Sequence, residues 1–230
     1  MRWRHPERGL LSPAAFHEGF EDHHVGAAFG LYMLDKVFHD IVLFPKLGFT
    51  LGRVAINLTN SDFRSEAFLD RFFELSEKTG MPLTSLCAEL TEGMFLGSDQ
   101  KSVEHRIRRL HDVGVEIALD DFGTGFASLT HLSQLPIDLL KIDRSFVANM
   151  VFSRKDRAIV RGIIDIAHNL GAIVTAEGVE TVEQVRLLTE LGCDMLQGWY
   201  FGKACKADRL AGLLNTMPSC QTRRTWTACA

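Results

Sequence analysis

The chain has 230 residues, 46% hydrophobic and 23% charged, with a formal net charge of −4. That balance suits a globular protein with a sizeable core and excludes both disorder and a basic surface that coats nucleic acid. The opening segment MRWRHPERGLLSP is too polar for a signal peptide, no run of roughly 18 apolar residues exists to cross a membrane, and Cys87, Cys193, Cys205, Cys220 and Cys229 show no CxxC or zinc-like spacing.

In chain order, residues 14–44 carry Phe16, Phe20, Val25, Phe29, Leu31, Met33, Leu34, Val37, Phe38, Ile41 and Leu43 at mostly helical spacing. The short strand-like run VAIN (54–57) follows, residues 64–79 repeat the helical pattern, and SLCAEL (85–90) reads as the next strand. Ser98 or Asp99 caps a helix over 100–113, with Leu110 and Val113 inward, Arg106, Arg108 and Arg109 in water, and Gly114 closing it. VEIALDD (115–121), DLLKID (138–143), AIVTAE (172–177) and CDMLQG (193–198) complete the strand-like runs. Helices are expected at 155–170, 181–191 and 206–215, then a disordered tail over 215–230. Such alternation predicts βα units around a parallel sheet, and the apolar strands read as buried on both faces. No linker divides residues 1–214, so one α/β domain is expected.

All six runs end in residues able to hold a metal or move a proton: Asn57, Glu89, Asp120 with Asp121, Lys141, Glu177 and Gln197. In a (β/α)8 barrel the carboxyl ends of the strands carry the catalytic groups. Turns favour a single polar ending anyway, but six chemically matched endings ask for another explanation. In ALDDFGTGFASL (118–129) the paired carboxylates of Asp120 and Asp121 leave a strand and enter a loop with Gly123 and Gly125. A turn there brings both toward one cation or lets them bridge two, and two such sites about 3.5–4 Å apart suit in-line attack on a phosphodiester. DDFGTG by itself also fits a capped turn. Lys141, flanked by Leu139, Leu140 and Ile142, reads as buried, where an unpaired ammonium is costly. A Schiff-base aldolase is the other chemistry that Lys141 allows, although it leaves the carboxylates unexplained. Glu180 fits an exposed first-turn helix acid equally well, and His131 and His168 read as packing or surface residues.

The segments ELTE (89–92), DDFGTGFASL (120–129), LPIDLLKIDRSFV (135–147), IVRGIIDIAHNLG (159–171), TAEGVET (175–181) and QGWYFGK (197–203) together resemble the EAL-domain family, bacterial cyclic di-GMP phosphodiesterases and their non-catalytic relatives. The resemblance implies a modified TIM (β/α)8 barrel that hydrolyses cyclic di-GMP to linear pGpG with Mg²⁺ or Mn²⁺, two ions in all. It implies Asn57, Glu89 and Asp120 as ligands of the first metal, Asp120 and Asp121 as ligands of the second, and Glu177 as a metal-associated carboxylate and candidate base. Lys141 would hold or polarise the attacking water, Gln197 and Arg2 would line the substrate site, and Glu92 would anchor the loop 121–128.

The sequence departs from the family pattern at its start. Arg2 and Trp3 match the end of the motif EAL-x-R-W, so its glutamate would lie before Met1, and two early strands are missing from the count. The expectation is therefore an amino-terminally truncated EAL domain over 1–214, and the absent glutamate motivates the alternative of a non-catalytic cyclic di-GMP receptor. Phe126, Trp199 and Ala204 replace residues common in the family without removing a ligand. The cysteine pattern fits a reducing cytoplasm, and the resemblance further implies a homodimer, with a sensory or diguanylate cyclase domain upstream in a parent protein for which membrane anchoring stays open.

Overall fold

A computed structural model of the chain describes residues 3–11, 15, 23–46, 52–95, 100–123, 129–205 and 227–229. It divides into two compact units, Met1–Leu86 with Thr225–Ala230, and Cys87–Arg224. Among the described residues no helix is long and apolar enough to cross a membrane.

The first unit opens with a hairpin, β1 (Trp3–His5) antiparallel to β2 (Gly9–Leu11). Glu7 and Arg8 donate their backbone N–H groups to His5 Nδ1, each at 3.1 Å, which ties the turn. Helix α1 (His23–Lys46) buries Leu34, Val37, Phe38, Ile41 and Phe44, a stripe at helical intervals. Strand β3 (Arg53–Leu58) follows, with Val54, Ala55 and Ile56 buried. The single helix expected over 64–79 is in fact two. Thr59 and Asp62 form a capping box at α2 (Asn60–Arg64), and Ser65 starts α3 (Glu66–Thr79) by accepting from the Phe68 N–H. Phe38 of α1 meets Phe72 of α3 edge to face at 5.9 Å. Each ring buried this way contributes about 1.5–3 kcal/mol. Helix α1 also approaches α2 so closely that a Cβ on Gly30 would collide with Oδ1 of Asp62.

The second unit contains five parallel strands paired in chain order: β4 (Leu86–Thr91), β5 (Glu116–Phe122), β6 (Leu139–Ile142), β7 (Ile173–Ala176) and β8 (Met195–Leu196). With β3, all six predicted strands are present, the last much shorter than CDMLQG suggested. The helices are α4 (Gln100–Asp112), α5 (Leu129–Gln134), α6 (Arg144–Asn149), α7 (Arg154–Asn169) and α8 (Val182–Glu190). Gly114 closes α4 at φ +93° as expected. Val113 is 43% exposed rather than inward, because the apolar face of α4 runs through Val103, Ile107 and Leu110 and the helix ends before reaching it. The proposed caps Ser98 and Asp99 lie outside the described residues.

Two of the βα units share one device at the amino-terminal ends of their strands. Asp138, just before β6, accepts from the Ile117 N–H at 2.8 Å and faces His111 at 3.4 Å. Asp194, just before β8, accepts from the Val174 N–H at 2.9 Å and faces His168 at 2.8 Å. His168 thus has a structural partner rather than a place among the candidate ligands.

The helix expected over 206–215 falls outside the described residues, as does most of the tail. Where a disordered tail was expected, Thr227–Cys229 forms a strand, β9, parallel to β3 with Arg53 opposite Thr227. An edge strand exposes unpaired N–H and C=O groups that any extended segment can satisfy, and β9 satisfies some of those on β3.

Candidate metal and catalytic site

The carboxyl ends of β4 to β7 bring four charged side chains together in the second unit. The buried ammonium of Lys141 on β6 lies 2.9 Å from Oε1 of Glu89 on β4, 3.2 Å from Oδ1 of Asp120 on β5 and 2.6 Å from Oε1 of Glu177 after β7. Lys141, Glu89 and Asp120 are all buried, so these charges interact through a medium far less screening than water. Three carboxylates around one ammonium leave an excess of negative charge for a further cation.

Asp121 reaches the same place through an unusual backbone. Strand side chains alternate between faces, and the pairing of β5 with β6 shifts register between Leu119 and Phe122. Asp121 takes up the irregularity at φ +54°, the one non-glycine residue with positive φ among those described. Its N–H donates to Oδ1 of Asp120 at 3.0 Å. As a result, carboxylate oxygens of Asp120, Asp121 and Glu177 lie within 4.8 Å of one another. An all-oxygen set of this kind fits a hard divalent ion such as Mg²⁺ or Mn²⁺.

Asp121 is exposed as a residue, yet partial desolvation of its carboxyl raises it above the ordinary aspartate range, and the charges of Asp120 and Asp143 push the same way. Burial also raises Glu177, with the charge of Asp120 adding and that of Lys141 opposing. A carboxylate made more basic in this way is better suited to accept a proton near neutral pH.

Asp143 was not singled out from the sequence. Its side chain accepts from the Ser145 N–H at 2.9 Å as the cap of α6 and also bonds to Asp121. Burial pushes Asp143 upward, but the hydrogen bonds from Ser145 and with Asp121 outweigh it and hold the carboxyl below its ordinary value.

The surrounding backbone fixes these groups. Glu92 Oε1 accepts from the Gly123 N–H at 2.8 Å, which holds the start of the loop at 123; residues 124–128 lie outside the described residues. The Glu177 N–H donates to the Ile142 carbonyl at 3.1 Å. Gln197 donates its N–H to Ala176 O at 2.9 Å and accepts from the Val179 N–H at 3.0 Å, so its segment runs beside that of Glu177. The next residue, Gly198, has no room for a Cβ, which would collide with the Val179 backbone.

Two further predicted site residues belong to the other unit or lie outside the described residues. Asn57 is an exposed residue near the carboxyl end of β3, in the other unit. Arg2 lies outside the described residues.

A family model described as "EAL domain" matches residues 1–204. The protein named cyclic di-GMP phosphodiesterase NbdA, from Pseudomonas aeruginosa, is 34% identical over 203 residues, which cover 88% of this chain and 26% of NbdA. The solved complex of the phosphodiesterase PaMucR with c-di-GMP superposes with a TM-score of 0.84 at 33% identity, covering 91% of this chain and 84% of that one. A manganese and cyclic di-GMP complex of BlrP1 from Klebsiella pneumoniae gives 0.75 at 25% identity, covering 85% of this chain and 49% of that one. The chain spans between 25% and 29% of the length of the first curated relatives that it matches.

Proposed function

The chain belongs to the EAL-domain family, whose fold is a modified TIM barrel, and on that premise we propose that it is a metal-dependent phosphodiesterase that hydrolyses cyclic di-GMP to linear pGpG. The observation that carries this reading is the convergence of Glu89, Asp120 and Glu177 on Lys141, with Asp121 turned toward the same oxygens. An aldolase would need a free amine at Lys141, and three carboxylates at 2.6–3.2 Å engage its Nζ as ion-pair partners instead.

Glu89, Asp120, Asp121 and Glu177 would hold Mg²⁺ or Mn²⁺, with Asn57 proposed as a further ligand. When bound, the ions supply Lewis acidity, lowering the pKa of water and stabilising the oxygens that attack and leave. The chain's own residues do the rest. Glu177 accepts the proton of the attacking water, a role its raised basicity suits. Lys141 orients that water and balances charge on the phosphoryl oxygens. Water adds to phosphorus, one P–O3′ ester bond breaks, the released 3′ oxygen takes up a proton, and the product keeps a 5′ phosphate. Gln197, held beside the Glu177 segment, would contact the nucleotide, as would Arg2.

The test is to incubate the purified chain with cyclic di-GMP and Mn²⁺ or Mg²⁺, beside Glu89→Ala. Accumulation of pGpG that requires the metal and is lost in the variant supports the enzyme. Tight binding with no turnover would replace it with the receptor reading.

A further inference from the structure

We propose that Gln184 is a positioning residue for this reaction, tying the backbone that follows Glu177 to the helix that follows Lys141. Gln184 lies on α8, touches neither carboxylate nor lysine, and is 5% exposed. Its Oε1 accepts from the backbone N–H groups of both Glu180 and Thr181, at 2.7 and 3.0 Å. Its Nε2 donates to the Val147 carbonyl of α6 at 3.2 Å. That second contact exceeds what a cap requires. A capping box needs only an acceptor in the first turn, and glutamate is one of the two residues that ordinarily supply it. Of the two residues that fill such a box, only glutamine can also donate to a carbonyl, because an ionised glutamate solely accepts. The structure therefore uses Gln184 for two purposes, ending the Glu177 segment and fastening it to α6.

The fastened segments are the ones that set the site's geometry. Residues 177–181 run from Glu177 to the cap of α8, and the Glu177 N–H is bonded to Ile142, the neighbour of Lys141. Helix α6 begins directly after Asp143, the partner of Asp121. One side chain thus links both sides of the 2.6 Å contact between Lys141 and Glu177.

This inference rests on the phosphodiesterase reading above, and its test separates the two. Gln184→Glu keeps the acceptor and loses the donor; Gln184→Met loses both and sets the scale of a purely structural loss. Amide hydrogen exchange, thermal unfolding and turnover with Mn²⁺ are measured on all three proteins. In Gln184→Glu we expect exchange at Glu177 about tenfold faster, exchange in α7 unchanged and Tm near that of the parent. We also expect kcat to fall about tenfold with KM nearly constant. Unchanged exchange at Glu177 in both variants would overturn the inference. So would a Gln184→Glu protein that exchanges faster throughout and loses Tm as far as Gln184→Met, because Gln184 would then serve only folding. If the parent chain shows no turnover while Glu177 exchange responds as expected, the phosphodiesterase reading fails and the coupling stands.

Discussion

The ammonium of Lys141 stands closer to Glu177, at 2.6 Å, than to either Glu89 or Asp120. The lysine is thus shared among three acids and stands nearest Glu177, whose basicity burial raises.

Replacing that ammonium with an apolar group of similar length leaves three close carboxylates, two of them buried, uncompensated. Lys141→Met should lose about 3 kcal/mol of stability without metal, by urea unfolding. Added Mn²⁺ should close much of the gap, since a divalent ion supplies the missing charge. Turnover should fall about 100-fold or more even with Mn²⁺ saturating. A metal-free variant as stable as the parent would contradict the ion cluster.

Asp121 offers a cleaner separation of stability from chemistry. Asparagine tolerates the left-handed backbone at φ +54° about as well as aspartate, so Asp121→Asn should unfold within about 0.5 kcal/mol of the parent. Its hydrolysis of cyclic di-GMP should drop about 100-fold. Asp121→Val, by contrast, should lose stability as well, because a β-branched residue is strained there. Equal unfolding midpoints for the two variants would remove backbone strain from the account.

Glu92 holds the Gly123 N–H at the entry to the loop carrying GTG. Glu92→Ala leaves that amide without its carboxylate partner and should cost about 1–3 kcal/mol. Because the loop starts two residues after Asp121, kcat should also fall, with Glu92→Gln retaining more activity than Glu92→Ala. Equal kcat in both variants and the parent would detach the loop from the chemistry.

Asp62 gives a pH dependence remote from the carboxylate cluster. Burial pushes its carboxyl above the ordinary range despite hydrogen bonds from the N–H and hydroxyl of Thr59. A group with a raised folded pKa contributes stability that is present below the unfolded pKa and is lost as pH rises through the folded one. Asp62→Asn does not ionise there, so its stability relative to the parent should improve between about pH 3 and pH 7. Urea midpoints of the two proteins that keep a constant separation over that range would refute the shift.

The strands were legible because a parallel sheet buried on both faces leaves continuous apolar runs, and polar residues held at one end stand out against them. VAIN, SLCAEL and VEIALDD needed little more than that. What escaped notice was hidden by an ordinary local role. Asp143 reads as the cap of a helix, which it is, and its bond to Asp121 exists only once β5 and β6 are side by side. Gln184 reads as the polar end of a capping box, and its contact with Val147 joins residues 37 apart. The break between α2 and α3 had a signal in Thr59 and Ser65, both good caps, but the apolar spacing ran through it. The hairpin at 3–11 had one too, in Pro6 and Gly9 around a polar turn.

The hydrogen bond from Ile117 to Asp138 acts as an alignment pin for chemistry at the opposite end of the same two strands. Side chains alternate along a strand, so sliding β6 by a single residue against β5 would turn Lys141 out of the ring of acids and put Leu140 or Ile142 in its place. The apolar neighbours resist the slip only weakly, since leucine and isoleucine are nearly interchangeable to a buried sheet. Asp138 discriminates where they do not, because only one alignment presents its carboxylate to the Ile117 N–H. Fidelity of the charged cluster is thus reinforced by a carboxylate that never meets it.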